Sequence, residues 1–309
     1  MIGLNNILKY VIVIFSISLL ITLPFIIFNG VYFNLGFNID TDLASKFGDF
    51  FGGFIGTLFS ILSVLLLIYT ITSQYLDNSK NRAKDHFFKM LDYHTENVRS
   101  IKVASLETAK DDVIEEGRRA FVVYKIQFKR LLKAISSVSD DLSLNLTAKQ
   151  KIDIAYICFF YGQSETWVDF IQGKLSCYMD GIAIAAKMLE KVKENQELKL
   201  GRTNQTELSS YFRNMYNAIK LVDGDRYLSQ KEKTDLVKIY RAQLSNPELY
   251  ILFFNLVSRF GKKWVDSGYI IKYQLLTNLP HDYCDGYNPK DYFNIPYEED
   301  EISLWIGSA

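Results

Sequence analysis

Apolar positions are unevenly spread along this chain. Residues 10–28 and residues 50–71 contain no charged side chain, in runs of 19 and 22 residues. A helix rises about 1.5 Å per residue and a bilayer's hydrocarbon core is about 30 Å thick, so about 20 apolar residues suffice to cross it. Both runs meet that length and predict two membrane-spanning helices. A signal peptide is the competing reading of the first run, but no Ala-x-Ala site follows it and the next alanine is Ala44. A buried helix of a soluble core is the competing reading of the second, against which its unbroken length counts.

Past residue 76 the pattern changes to steps of three and four. Phe87, Leu91, His94, Val98 and Ile101 mark one helical face. Phe121, Tyr124, Phe128, Leu131 and Ile135 mark another, over residues 117–137. Further helices are predicted over 151–163, 164–197, from Asn204 through Val222, and over 230–244. No proline falls between Pro24 and Pro247, and no glycine between Gly56 and Gly117, so little interrupts long helices. The second run either continues inward as a stalk or breaks near Asp77-Asn78-Ser79, where capping residues cluster. Asn204 and Glu207 have the spacing of a capping pair. Ser245-Asn246-Pro247-Glu248 combines a cap, a first-turn proline and a returning carboxylate, and opens a helix that ends near Gly261. No alternating run is long enough for a sheet.

The predicted fold is all-α: an N-terminal two-helix transmembrane hairpin (1–76), a cytosolic helical bundle (77–279) and an irregular tail (280–309). Lysine and arginine set the orientation. Lys9 precedes the first run, and Lys80, Arg82, Lys84 and Lys89 follow the second. The intervening loop holds Asp40, Asp42 and Asp49 against a single Lys46. Both termini are therefore expected in the cytoplasm, with the acidic loop outside, where its carboxylates would favour cations at an outer mouth. The three cysteines, Cys158, Cys177 and Cys284, fit a reducing compartment rather than a disulfide framework.

Gly48, Gly52, Gly56 and Ser60 recur at every fourth position. In lipid, such small residues let helices approach closely enough for van der Waals contact to hold them. The strip serves either self-association between copies or packing of the hairpin within one chain.

Formal net charge is zero, with 35 basic and 35 acidic residues, which argues against direct DNA binding. No phosphate-loop, GxSxG or HExxH pattern occurs. Arg82 and His86 read as a solvated basic segment. His281, Asp282, Cys284 and Asp285 lack a second ligand pair, so no metal and no cofactor is expected. His94, Arg213, Arg241, Gln243, Glu248 and Asn255 are polar residues set in apolar helices. Buried polar groups need partners, so they are expected to form one structural network or a trigger site. The alternative is a membrane-anchored nuclease or hydrolase using His94, Arg213, Arg241 and Glu248, or a scaffold that recruits another toxin. The expectation is that the protein is not an enzyme.

Four blocks, FGDFFGGFIGTLFSILSVLLLIYTI (47–71), FFKMLDYHTENVRSI (87–101), YFRNMYNAIKLVD (211–223) and YRAQLSNPELYILFFN (240–255), resemble the AbiC-type family of phage abortive infection proteins. AYICFFYG at 155–162 is a weaker fifth. The resemblance implies antiphage defence at the bacterial inner membrane by a protein with two spans and a helical cytosolic domain. Similar two-span proteins serve as toxic effectors beside retron reverse transcriptases and their noncoding RNA. The expected partners are then the bilayer, further copies of the chain on activation, and such a complex. The resemblance carries no catalytic residue over.

Overall fold

The computed structural model describes residues 41–106, 113–298 and 300, and residues 9, 10, 12, 13, 15–17, 19 and 20. The chain is mostly helical and divides into two compact units, Met1–Arg82 and Ala83–Ala309.

In the first unit, the described positions between 9 and 20 are helical. Residues 21–28 of the first predicted span, and Asp40 of the acidic loop, lie outside the described residues. Helix α1 (Thr41–Phe50) passes through a π-helical turn (Phe51–Ile55) into α2 (Gly56–Ser100). Among the described residues, one helix is long and apolar enough to cross a membrane, Gly48–Ser100, with a window of mean hydropathy 2.3 that is not buried at all. Its hydroxyls are closed on its own backbone. Thr57, Ser60, Ser63, Thr70 and Thr72 each donate to the carbonyl four residues earlier, at 2.5–2.9 Å. This is how a polar side chain satisfies itself where no water is present. Phe15 meets Phe59 edge-on, with centroids 5.3 Å apart.

α2 does not break at Asp77-Asn78-Ser79; it runs on to Ser100, and Ala83, Phe87, His94 and Val98 are its buried positions in the second unit. Capping residues end a helix only where neighbouring structure offers their side chains competing work, and here the periodic apolar face continues beyond them.

The second unit is built around two helices with almost no polar face. α3 (Arg118–Asp141) packs against α4 (Ala148–Tyr161) and α9 (Asn246–Val257). Every residue of α9 from Glu248 to Val257 is buried, as is every residue of α4 from Ile152 to Phe160. A helix apolar all round is a central helix. Phe128 of α3 joins them: its ring lies 4.6 Å from Phe254 and 5.4 Å from Phe159, centroid to centroid.

Two expectations fail locally. A short antiparallel hairpin, β1 (Lys102–Ala104) with β2 (Ile114–Glu116), pairs Val103 with Glu115. The predicted helix over 164–197 is instead α5 (Val168–Leu175) and α6 (Gly181–Glu194), flanked by 3-10 turns. The break lies at Gly181, where a Cβ would sit 2.1 Å from the Leu175 carbonyl oxygen. Arg259 holds this region to α4. Its backbone and guanidinium donate to the Asp153 carboxylate at 2.6–3.2 Å, and Tyr178 adds a fourth donor group at 2.6 Å. Burial pushes the Asp153 carboxyl up, but these bonds outweigh it and hold it below its usual range.

α7 (Gln205–Gly224), α8 (Gln230–Arg241), α10 (Lys262–Asp266) and α11 (Tyr269–Lys272) complete the helices. From Pro280 the chain is irregular, with one 3-10 turn at Pro289–Asp291, yet Cys284, Ile295 and Tyr297 are buried.

Candidate functional site

α9 begins where the sequence places it. Glu248 returns to the helix start and accepts from the Ser245 N–H at 2.9 Å and the Ser245 hydroxyl at 2.5 Å, and Pro247 occupies the first turn. The same carboxylate is buried, so its other oxygen needs a donor as well. Tyr211 of α7 supplies one at 3.2 Å, while Arg118, at the start of α3, brings its Nε to 3.9 Å from the oxygen that Ser245 bonds. Arg118 also donates to the Gln243 carbonyl at 2.9 Å.

His94 of α2 completes this cluster from a different side. Its ring lies between Tyr211 and Tyr240, at centroid distances of 4.9 and 4.8 Å. Its Nε2 is 3.8 Å from Glu248, too far for a hydrogen bond. Both ring nitrogens and the Tyr240 hydroxyl are buried without a hydrogen-bond partner among the described residues. Burial brings the His94 imidazole down to about 4, and the nearby Arg118 cation acts in the same direction. His94 is therefore neutral at physiological pH, and it is 2% exposed.

The six polar residues do not share one network among the described residues. His94 and Glu248 meet, and Gln243 joins through its backbone carbonyl to Arg118. Arg241 turns away to donate to the Gln274 carbonyl at 2.9 Å. Asn255 donates to the Tyr156 hydroxyl at 2.9 Å, and Arg213 to the Ser209 carbonyl of its own helix at 3.0 Å. These last two line a separate groove of about 410 Å³ on the second unit. Sequence reading missed Arg118, Tyr211 and Tyr240; the two tyrosines are buried against His94, and Arg118 reaches Glu248 from an exposed position. Their signal was present as aromatic residues on periodic faces, and as an arginine beside Gly117, which turns the chain into α3 at φ 61°.

Asn204 starts α7 without capping it. Its side chain donates instead to the Phe159 carbonyl at 2.8 Å and to Gln127 at 3.1 Å. Asp285 accepts from Tyr250 at 2.8 Å and pairs with Lys129, while His281 lies 3.1 Å from Asp300. No group of three metal-ligating side chains occurs among the described residues.

In the first unit, the spacing of Gly48, Gly52, Gly56 and Ser60 assumed an unbroken α-helix. Gly52 instead sits in the π-helical turn, whose i→i+5 bonding rotates Gly56 and Ser60 relative to Gly48. A Cβ at Gly48, Gly52 or Gly53 would meet nothing within 4 Å among the described residues.

Residues 203–283 match the model of a family described as "Putative phage abortive infection protein". The chain is similar to that family over this segment, which runs from the start of α7 past α11 and holds Arg213, Arg241, Gln243, Glu248 and Asn255. It includes the sequence blocks at 211–223 and 240–255, while those at 47–71, 87–101 and 155–162 lie outside it. No curated protein and no solved structure matches the chain. The match points to phage defence by abortive infection.

Proposed function

We propose that the protein is a non-enzymatic effector of antiphage defence that acts at the bacterial inner membrane. The observation that carries this reading is the apolar, unburied stretch of Gly48–Ser100, with its hydroxyls bonded to their own helix. The ring contact from Phe15 to Phe59 supports a first span running beside it, and Lys9, Lys80, Arg82, Lys84 and Lys89 favour both termini in the cytoplasm. Among the described residues the sides of Gly48, Gly52 and Gly53 stand open, which leaves them free to pack against a helix of the same chain or of another copy. Infection would shift a resting arrangement to an associated one, and the membrane would then lose its barrier. To move such an equilibrium from 1:99 to 99:1, a trigger must prefer the active state by about 10⁴-fold.

The test is a membrane-potential dye assay during phage challenge. A Gly52→Leu/Gly56→Leu double variant is expected to fractionate with membranes like the parent and to leave infected cells polarised. Depolarisation at the parental rate by that variant would defeat the packing mechanism. Recovery of the parent protein in the soluble fraction would defeat the membrane assignment itself.

A further inference from the structure

The groove that receives Arg213 and Asn255 has a defined composition. Its floor includes Phe212, Phe260 and Trp264. Neighbouring rings fix that floor: Phe260 lies 4.7 Å from Phe160 and 5.3 Å from Tyr156, and Trp264 meets Tyr216 edge-on at 5.2 Å. Gly261 allows this arrangement, because a Cβ there would lie 2.4 Å from the Leu256 backbone. The turn carrying Phe260, Lys263 and Trp264 can therefore close against the end of α9.

The rim is cationic. Arg213 and Lys220 stand on α7 and Lys263 on α10, and no acidic residue lines the groove. None of the three meets a carboxylate among the described residues, whereas Lys84, Lys191 and Lys193 pair with Glu232, Asp141 and Glu165. Unopposed charges converging on one concavity repel each other unless an anion joins them. Asn255 is only 4% exposed, and its side-chain nitrogen is used by Tyr156. Its backbone carbonyl accepts from the Ser258 hydroxyl at 2.7 Å.

An apolar floor, a few convergent polar groups and a volume above about 300 Å³ describe a small-molecule site. The cations call for phosphate, which a guanidinium holds bidentately and an ammonium holds as a point charge. Phe260 is the half-buried ring of this floor, with Phe212 and Trp264 buried behind it, and a planar group can lie on it. We propose that this groove binds a nucleoside phosphate. The base lies on Phe260, backed by Phe212 and Trp264, the exposed Asn217 reads its edge, and Arg213, Lys220 and Lys263 hold the phosphates. This site belongs to the second unit and does not depend on how the first unit acts.

The test uses the full-length protein in detergent and calorimetric titration with ADP, GDP, CDP and UDP. Inorganic pyrophosphate and the free nucleosides serve as the separated halves. At least one diphosphate is expected to bind saturably, with its nucleoside and pyrophosphate each weaker by about tenfold or more. Charge reversal by Lys220→Glu or Lys263→Glu, and Arg213→Ala, should each weaken binding by about tenfold or more with an unchanged melting temperature. All three side chains sit on the rim, so the fold does not need them. The proposal is overturned if no diphosphate binds in the millimolar range, if pyrophosphate binds as well as the diphosphates, or if the rim variants bind like the parent.

Discussion

The two units solve the same problem, a surplus of apolar surface, in opposite ways, and α2 takes part in both. Before Arg82 its large side chains face outward: Leu67 is 58% exposed and Ile71 is 56% exposed. Beyond Ala83 the same helix buries a stripe that includes Phe87 and Val98. Polar groups follow suit. Hydroxyls of the first unit close locally on carbonyls four residues back, whereas buried polar groups of the second reach across the chain, as Asn204 does to Phe159 and Asn255 to Tyr156. A hydrophobicity profile records both units as apolar. Local bonds occur in both units, as from Ser136 to the Leu132 carbonyl; the long-range ones tie the second unit's buried polar groups to distant helices.

The largest expected effect comes from truncating one large apolar side chain on each side of this divide. Phe128→Ala should cost about 3–5 kcal/mol, because a fully buried ring leaves a cavity that its neighbours cannot fill. Leu66→Ala, at an exposed position, should leave the same transition unmoved. Urea unfolding of the detergent-solubilised chain, followed by tryptophan fluorescence, reads both; equal shifts would erase the distinction.

Next in size is the acid response of His94. In the unfolded chain its imidazole takes up a proton near 6.5, and in the folded chain only near 4. The unfolded state thus binds more protons between those values. Its contribution is complete above pH 6.5 and is lost as the pH falls toward 4, by about 3 kcal/mol. His94→Gln should flatten the stability profile over that window. An unaltered slope would mean that the imidazole is not buried neutral.

The smallest effect separates two serines. Ser245→Ala removes a hydroxyl from the start of α9 and should cost the second unit about 1 kcal/mol. Ser60→Ala removes a hydroxyl bonded only to its own helix, and the second unit should not register it. Chemical denaturation of both variants beside the parent would check the contrast.

Much of this was legible because it is local. Steps of three and four gave α3, α4, α7 and α8, and Ser245-Asn246-Pro247-Glu248 gave the start of α9 to the residue. What escaped is non-local. Asn204 has the spacing of a cap, but partners 45 and 77 residues away take its side chain. The strands of the hairpin are three residues each, too short for alternation to register. The C-terminal irregular segment has no period, yet it buries Cys284 and Tyr297. The candidate groove was half visible: Arg213 and Asn255 stood out as polar residues in apolar helices. Lys263 and Trp264 gave no such signal, because only the tight turn at Gly261 brings them there.

The enclosure of α9 also constrains the order in which the chain is made. Residues 246–257 leave the ribosome after α3 and α4, whose rings, Phe128 and Phe159, pack against or beside them. Until that late stretch is synthesised, the nascent second unit lacks its centre, so its apolar faces stand uncovered while the first unit is already complete. Domains generally fold as units during synthesis, and unpaired apolar surface invites misassembly. A polypeptide truncated before residue 246 would therefore present the cell with sticky, half-built helices rather than with a smaller version of the same protein.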